Sequence, residues 1–206
     1  LHIIIGKGPS ARTLQLDLPA FSLVAATTRA GLLSNPLRSR FGVTFRLDFY
    51  NIGDIENNIE RSSGLMNLKT ETEALKLIAS SSRYTPRVAN RLLKRVRDYA
   101  QVEGAGIITK EITQKALALL EIDHLGLEST DRRLLETIIK KFNGGPAGLG
   151  ALSAATSEEL ETIEDIYEPY LLQIGFLQRT ARGRIATKFA YEHLGLKPPT
   201  ESPILL

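Results

Sequence analysis

The stretch "EDIYEPYLLQIGFLQRTARGRIAT", residues 164–187, decides the fold of the C-terminal part of the chain. A helical pattern runs to residue 173, and two short strand-like runs, "FLQRT" and "RIAT", then flank the turn "ARG". Helices are predicted at residues 131–142, 149–155 and 158–173, with the Gly-rich turn "NGGPAGL" before the second. Three helices followed by a hairpin are the order of elements in an α+β winged-helix domain, which we predict for residues 126–198.

The section before it reads as helical throughout. Apolar periodicity predicts helices at residues 54–63, 72–80, 86–102 and 110–120, and "GAG" at 104–106 separates the last two. We therefore expect an all-α domain at residues 51–125. The Pro-rich end, residues 199–206, is predicted to be a disordered tail.

Residues 1–50 have the pattern of an α/β domain. "LHIIIGKGPSARTLQLDL" predicts a β-hairpin in which Leu14, Leu16 and Leu18 alternate with polar residues and form one apolar face. "FSLVAATT", residues 21–28, does not alternate, which predicts a strand buried on both faces of a parallel sheet. Because a parallel strand needs neighbours and few residues precede it, we expect the C-terminal part of a truncated domain.

Composition excludes several classes of protein. The longest apolar runs fall far short of the roughly 20 residues that a transmembrane helix needs, so no membrane span is predicted. The chain has no cysteine, which excludes disulfides and thiolate ligands and is compatible with a reducing compartment. Since no signal for export is found, the cytoplasm is the default expectation. His2, His124 and His193 are scattered and lack ligand partners in the sequence, so no metal site is predicted.

The first candidate site follows the predicted strand at 21–28. Thr28 ends that strand, and ligands of open parallel sheets bind beyond the carboxyl ends of the strands. With Asn35 as N-cap, "NPLRSRF" begins a short helix that carries Arg38 and Arg40 outward. Such arginines could reach the phosphate of a neighbouring molecule, although surface arginines often serve solubility alone.

A second candidate is the start of the helix in "YTPRVANRLLKRVRDYA". Thr85 as N-cap and Pro86 as the first helical residue place Arg87 in the first turn. A cation there costs roughly 0.3–1 kcal/mol against the helix dipole. A bound phosphate would offset that cost, and an ion pair with a carboxylate elsewhere is the alternative.

The third candidate is the hairpin of the winged helix. "QRTARGR" carries Arg179, Arg182 and Arg184 around a glycine, which suits contact with DNA phosphates and little sequence preference. A solvated turn is the alternative. The helix at 158–173 carries six carboxylates and no base, so we do not expect it to lie deep in a major groove.

Five motifs together, in chain order, resemble the RuvB family, the bacterial Holliday-junction branch-migration motors of the AAA+ class. They are "IIIGKGPSARTLQLDLP", "ATTRAGLLSNPLRSRFG", "YTPRVANRLLKRVRDYAQV", "LGLESTDRRLLETIIKKFNGGPAGL" and "ETIEDIYEPYLLQIGFLQRTARGRIAT". The likeness spans residues 1 to about 198. It implies the C-terminal part of an AAA+ nucleotide-binding domain, a helical lid and a winged helix.

The resemblance also implies roles for single residues. Thr28 matches the position that places the attacking water, and Arg40 matches the arginine finger that reaches the ATP of an adjacent subunit. Tyr50 and Arg87 match nucleotide-contacting positions, the latter on the lid. The implied partner contacts are Leu14 and Leu16 with a RuvA-type junction-binding protein, and Arg179 and Arg184 with DNA.

The chain departs from the family pattern in ways that affect function. No "GxxxxGK[ST]" phosphate loop and no acidic Walker B strand occur, so we expect this chain alone neither to bind nor to hydrolyse ATP. His2 replaces a usual Asp, Ser39 replaces an Asp between the two turn arginines, and Leu160 replaces a DNA-contacting Arg.

The resemblance implies a subunit of a homo-hexameric, ATP- and Mg²⁺-dependent DNA translocase that drives branch migration of Holliday junctions in recombination and repair. A RuvC-type resolvase would belong to the larger complex. The alternative is a non-catalytic winged-helix DNA-binding or adaptor protein derived from such a motor.

Overall fold

The computed structural model describes residues 2–6, 8, 12–27, 30–103 and 105–198. The chain divides into two compact units, Leu1–Leu47 and Asp48–Leu206.

The first unit contains the predicted hairpin. Strands β1 (His2–Ile5) and β2 (Arg12–Gln15) pair antiparallel, with Ile3 opposite Leu14, which confirms the hairpin. A 3-10 turn at Ala30–Leu32 precedes helix α1 (Asn35–Arg38). This helix begins one residue earlier than predicted, because Ser34 and not Asn35 stands at the cap position.

The predicted buried strand at 21–28 is wrong for this structure. Residues 21–27 have no regular secondary structure, and Phe21, Leu23 and Val24 are 67%, 65% and 92% exposed. The sheets formed by the described residues have two strands each, and none includes this segment. Without a hydrogen-bonded neighbour the segment cannot form a ladder, so its apolar composition alone does not make it a strand.

The second unit begins with four helices, all at predicted places and with bounds within two residues of those expected. They are α2 (Ile52–Leu65), α3 (Thr72–Ser80), α4 (Pro86–Glu103) and α5 (Lys110–Leu119). Short strands β3 (Lys69–Thr70) and β4 (Ile107–Ile108) pair in parallel between them. The four helices enclose one apolar core, in which Ile59, Ile78 and Leu93 are fully buried.

The three helices and hairpin of the predicted winged helix follow. They comprise α6 (Ser129–Lys141), α7 (Leu149–Thr156), α8 (Leu160–Thr162), a π-helical segment (Ile163–Tyr167), α9 (Glu168–Gln173), β5 (Leu177–Thr180) and β6 (Gly183–Ala186). Ala147, from the Gly-rich turn, exchanges two 2.8 Å backbone hydrogen bonds with Arg184. Gly145 (φ 106°) permits this approach, because a Cβ there would collide with the Arg184 carbonyl.

Two details of this domain were not predicted. The single helix expected at 158–173 changes to π-helical geometry before Pro169, because proline cannot donate an amide hydrogen bond and its ring crowds the carbonyl four residues back. A further helix, α10 (Lys188–His193), follows the hairpin and packs Ala190 and Tyr191 into the winged-helix core.

Candidate functional site

The arginine-bearing turn after α1 is exposed. Arg38 Nη2 donates to the Leu33 carbonyl over 3.2 Å, which ties Arg38 to its own turn. Arg40 is exposed, and its side chain forms no hydrogen bond or ion pair with the described residues. Ser39 Oγ donates to the Pro36 carbonyl (3.2 Å), so it stabilises the end of α1 and does not orient Arg40. Thr28, the other predicted catalytic residue, lies outside the described residues.

Arg87 is the second residue of α4 and is exposed. Within the described part of the chain its guanidinium has no carboxylate partner, so the ion-pair alternative is not observed there. It lines an open cavity of 480 Å³ on one side of α4, together with six residues that are mostly cationic: Asn90, Arg91, Lys94, Arg95, Arg97 and Asp98. This surface suits an anionic ligand.

Tyr50 lies just before α2 and is 53% exposed. The next residue, Asn51, caps α2, because its Oδ1 accepts a hydrogen bond from the Asp54 amide over 2.8 Å. The cap fixes where the helix begins and so fixes the backbone beside Tyr50.

The arginines of the hairpin do not share one environment. Arg179 and Arg184 are directly opposite in the β5–β6 ladder, so both side chains leave the same face of the hairpin, toward the helix at 160–173. Arg184 is 8% exposed, and its Nη2 and Nε donate to Glu168 Oε2 over 2.7 and 3.1 Å. The expectation that Arg184 presents its guanidinium at the surface is therefore wrong, because a carboxylate buried to 1% exposure holds it.

Arg179 is exposed yet also paired. Its Nη2 donates to Glu164 Oε1 over 2.7 Å, and its Nε lies 3.8 Å from Glu168 Oε1. Arg182, in the turn between the strands, is exposed and has no side-chain partner among the described residues. Of the three arginines predicted to contact DNA, Arg182 can bind a phosphate directly. Arg179 can do so if the phosphate replaces Glu164 as its partner, whereas the guanidinium of Arg184 is already bound to Glu168.

Sequence reasoning missed Glu164 and Glu168. Both lie in the acidic stretch beside the hairpin, four residues apart and on one helix face, which is the spacing that could have indicated a partner for two facing arginines. Glu158, from the same stretch, accepts from Arg133 over 2.6 Å. Pairing with arginines therefore reduces the repulsion that this helix would exert on a phosphate backbone.

Leu160 lies at the start of α8 and is 46% exposed, and Ile166 in the π-helical segment is 58% exposed. At the position where the resemblance implied an arginine, the helix surface is therefore apolar.

The hairpin of the first unit has the predicted apolar face. Leu14 and Leu16 are 45% and 38% exposed, and Ile3, which faces Leu14 across the ladder, is 38% exposed. Exposed apolar side chains on a two-stranded ribbon suit contact with another protein.

The histidines differ from expectation. His193 Nε2 lies 2.8 Å from Asp123 Oδ2, and its ring lies 5.3 Å from that of His124, so two of the histidines are neighbours and one has a carboxylate partner. Among the described residues no group of three His, Cys, Asp or Glu side chains is placed to hold a metal ion. None of the described helices is long and apolar enough to cross a membrane.

Part of a nucleotide site fits this chain. Arg87 and the cationic cavity on α4 could bind phosphate oxygens, and Tyr50 offers an exposed aromatic ring. The described residues provide no carboxylate cluster for Mg²⁺.

A four-helix lid with an arginine in the first turn of its long helix, joined to a winged helix, defines the C-terminal part of an AAA+ subunit. Three family models match consecutive parts of the chain: the Holliday junction DNA helicase RuvB P-loop domain at residues 1–47, the RuvB AAA lid domain at 50–123, and the RuvB C-terminal winged helix domain at 124–195. The chain belongs to the RuvB family. The predicted fold class is confirmed, whereas the exact domain bounds stay predictions.

Solved structures of RuvB are also similar to this chain. Thermotoga maritima RuvB, described as a Holliday junction branch migration motor, is 50% identical over 84% of this chain and 58% of its own, with a TM-score of 0.78. A point mutant of that protein is 49% identical over 90% of this chain and 62% of its own, with a TM-score of 0.81. The chain therefore spans less than two thirds of the length of these solved proteins.

Proposed function

We infer that this chain is the C-terminal part of a subunit of a hexameric motor that uses ATP and Mg²⁺ to drive branch migration of Holliday junctions in recombination and repair. The observation that carries this inference is Arg87, an exposed guanidinium in the first turn of α4 with no carboxylate partner among the described residues, in the same compact unit as a winged helix. A cation in that position is unfavourable without an anion. A nucleotide phosphate supplies one.

Two arginines act on nucleotide in this proposal. Arg87 contacts the nucleotide from the lid, beside Tyr50, while Arg40 reaches the ATP of the adjacent subunit and neutralises charge that develops on the transferred phosphoryl group. Thr28 places the attacking water. ATP hydrolysis belongs to the complete subunit, in which a phosphate loop and Mg²⁺ hold the triphosphate.

The wing binds DNA through phosphates. Arg182 makes a direct contact, and Arg179 makes another when a phosphate replaces Glu164. Arg184 keeps the wing on α9 through Glu168. We propose that the apolar face with Leu14 and Leu16 docks a RuvA-type protein, that a RuvC-type resolvase joins the complex, and that the motor works in the cytoplasm.

The test is ATP-driven movement of a synthetic four-way junction by the complete subunit. Dissociation of the junction that requires ATP hydrolysis, and that fails with Arg87→Ala, is the expected result. Junction binding with no ATP-dependent movement would contradict the motor and would support the alternative, a non-catalytic DNA-binding or adaptor protein.

A further inference from the structure

Arg83 reaches from the lid into the winged-helix domain. It lies in the loop between α3 and α4, its Nε donates to the Gly126 carbonyl over 2.8 Å, and its Nη2 donates to the Asp131 carboxylate. The guanidinium carbon lies 5.2 Å from the centroid of the Tyr170 ring, within the range of a cation–π contact. One lid side chain therefore binds a carbonyl, a carboxylate and an aromatic ring of the next domain.

The ion pair in this contact is buried. The Asp131 side chain is fully buried and that of Arg83 is 14% exposed. Burial raises the pKa of Asp131 above its ordinary value, and the charge of Arg83 offsets this only in part. A buried ion pair adds little net stability compared with apolar side chains of similar volume, but its hydrogen bonds are directional and so favour one arrangement of the two domains.

Backbone contact limits movement beside the pair. A Cβ on Gly126 would lie 2.5 Å from the Ser81 carbonyl oxygen, so the two loops touch with no space between them. Tyr170 Oη donates to the Leu125 carbonyl over 2.5 Å, and its ring lies 6.4 Å from that of Tyr84. The junction is packed on both sides of Arg83.

The pair connects the starts of two helices. On the lid side, Arg83 and Tyr84 both have left-handed backbone conformations (φ 53° and 55°), and α4 begins two residues later. On the other side, Asp131 also accepts the Glu128 amide over 2.8 Å, in the first turn of α6. Arg87 is therefore only four residues along the chain from Arg83, whose side chain bonds directly to the winged helix.

We propose that Arg83 is a positioning residue that, through Asp131 and Tyr170, locks the lid and the winged helix into one rigid body, so that nucleotide-driven movement of α4 reaches the wing undiminished. This role rests on the proposed motor function. It predicts that loosening the lock separates ATP hydrolysis from DNA movement, since the Arg83 guanidinium is engaged by Gly126, Asp131 and Tyr170 of the winged helix.

The functional test uses the complete subunit and measures base pairs moved per ATP hydrolysed. Arg83→Lys keeps the charge but loses the Nε donor to Gly126, and Asp131→Asn removes the ion pair with little change in shape. Both should reduce the ratio about tenfold, the factor that matches a typical coupling between contacting residues. Arg133→Ala, which breaks an ion pair to Glu158 within the winged helix, is the matched control and should leave the ratio unchanged.

The structural test uses the present chain. It has no cysteine, so Gln114→Cys on α5 and Ala154→Cys on α7, both exposed, give specific spin-label sites on the two domains. Pulsed electron resonance should give a narrow distance distribution in the parent and a broad one with Arg83→Lys or Asp131→Asn. Circular dichroism checks that each variant is folded.

An unchanged distance distribution, or ATP hydrolysis and DNA movement that fall by the same factor, would overturn the lock. If the unaltered complete subunit moves no DNA, the proposed function fails, and the distance distribution alone then decides whether the two domains are locked.

Discussion

Arg184 Nη2 lies 2.7 Å from Glu168 Oε2, and both side chains are almost entirely buried between the wing and α9. An arginine with the sequence context of a DNA contact instead joins the hairpin to the helix beside it. Removing Arg184 should therefore lower the stability of the fold, and should weaken DNA binding only because the wing is no longer held against α9.

Arg184→Ala should lower the free energy of unfolding by about 3–5 kcal/mol, because it leaves the Glu168 carboxylate buried without its partner. Urea unfolding followed by circular dichroism measures this. Replacing both residues, with Arg184→Met and Glu168→Leu together, should recover most of the loss, since no buried charge then remains.

The matched control is Arg182→Ala, on the same hairpin, which should unfold like the parent. A folded Arg184→Ala chain of parental stability that has lost only DNA affinity would show that Arg184 binds DNA directly.

DNA binding should respond differently to Arg182 and Glu164. Arg182→Ala should weaken binding to every duplex equally and reduce the slope of log K against log salt by about 0.9, the value for one phosphate. Glu164→Gln should strengthen binding, because it releases Arg179 from its carboxylate partner for a phosphate. Fluorescence anisotropy on several duplexes at several salt concentrations measures both changes.

Arg179→Ala in the Glu164→Gln background is the control and should cancel the gain. A loss with Arg182→Ala that is confined to one sequence would mean base recognition and would contradict a phosphate contact.

The stability that Asp131 contributes should depend on pH. Burial raises the pKa of Asp131 in the folded chain above 3.8, its ordinary value, so the folded state holds the proton more tightly than the unfolded state does. The contribution is therefore full below that value and is lost as pH rises through the folded-state pKa. The free energy of unfolding of the parent, minus that of Asp131→Asn, should therefore fall as the pH rises above 3.8. A difference that grows with pH would mean that the pair with Arg83 outweighs the burial.

Arg87→Gln should have opposite effects on stability and activity. Removing a cation from the first turn of α4 should stabilise the chain by about 0.3–1 kcal/mol, because the helix dipole is positive there. The complete subunit should nonetheless lose ATP hydrolysis, since the lid contact to the nucleotide is gone. Lys115→Gln, which removes an exposed cation from α5 outside that cavity, is the control for activity. A stabilised variant with parental hydrolysis would remove Arg87 from the nucleotide site.

The helices were predictable because their signals are local. Asn51 at the start of α2, Pro86 at the start of α4 and Thr109 before α5 mark boundaries that apolar periodicity alone leaves open. The winged-helix order was likewise readable, since the hairpin turn around Gly183 punctuates two short strands.

The predictions that missed a pairing partner failed because the partner is distant along the chain. Residues 21–27 have the composition of a buried strand, but a segment becomes a strand only if another strand lies beside it to accept and donate backbone hydrogen bonds. Arg184 reads as a surface residue until Glu168, sixteen residues earlier, is known to be buried against it. Arg83 similarly bonds to Asp131 across forty-eight residues, a partner that no local pattern indicates.

The claim that an arginine of this chain completes the nucleotide site of a neighbouring subunit is tested most directly by ATP hydrolysis of the complete subunit with Arg40→Ala, against Arg38→Ala as control. Arg40 is exposed and its guanidinium is bound to none of the described residues, whereas the Arg38 guanidinium donates to its own turn. We expect Arg40→Ala to reduce kcat by about 10³-fold or more, as loss of a trans-acting arginine does, and Arg38→Ala to have little effect. Hydrolysis at the parental rate by a correctly assembled Arg40→Ala motor would contradict the account.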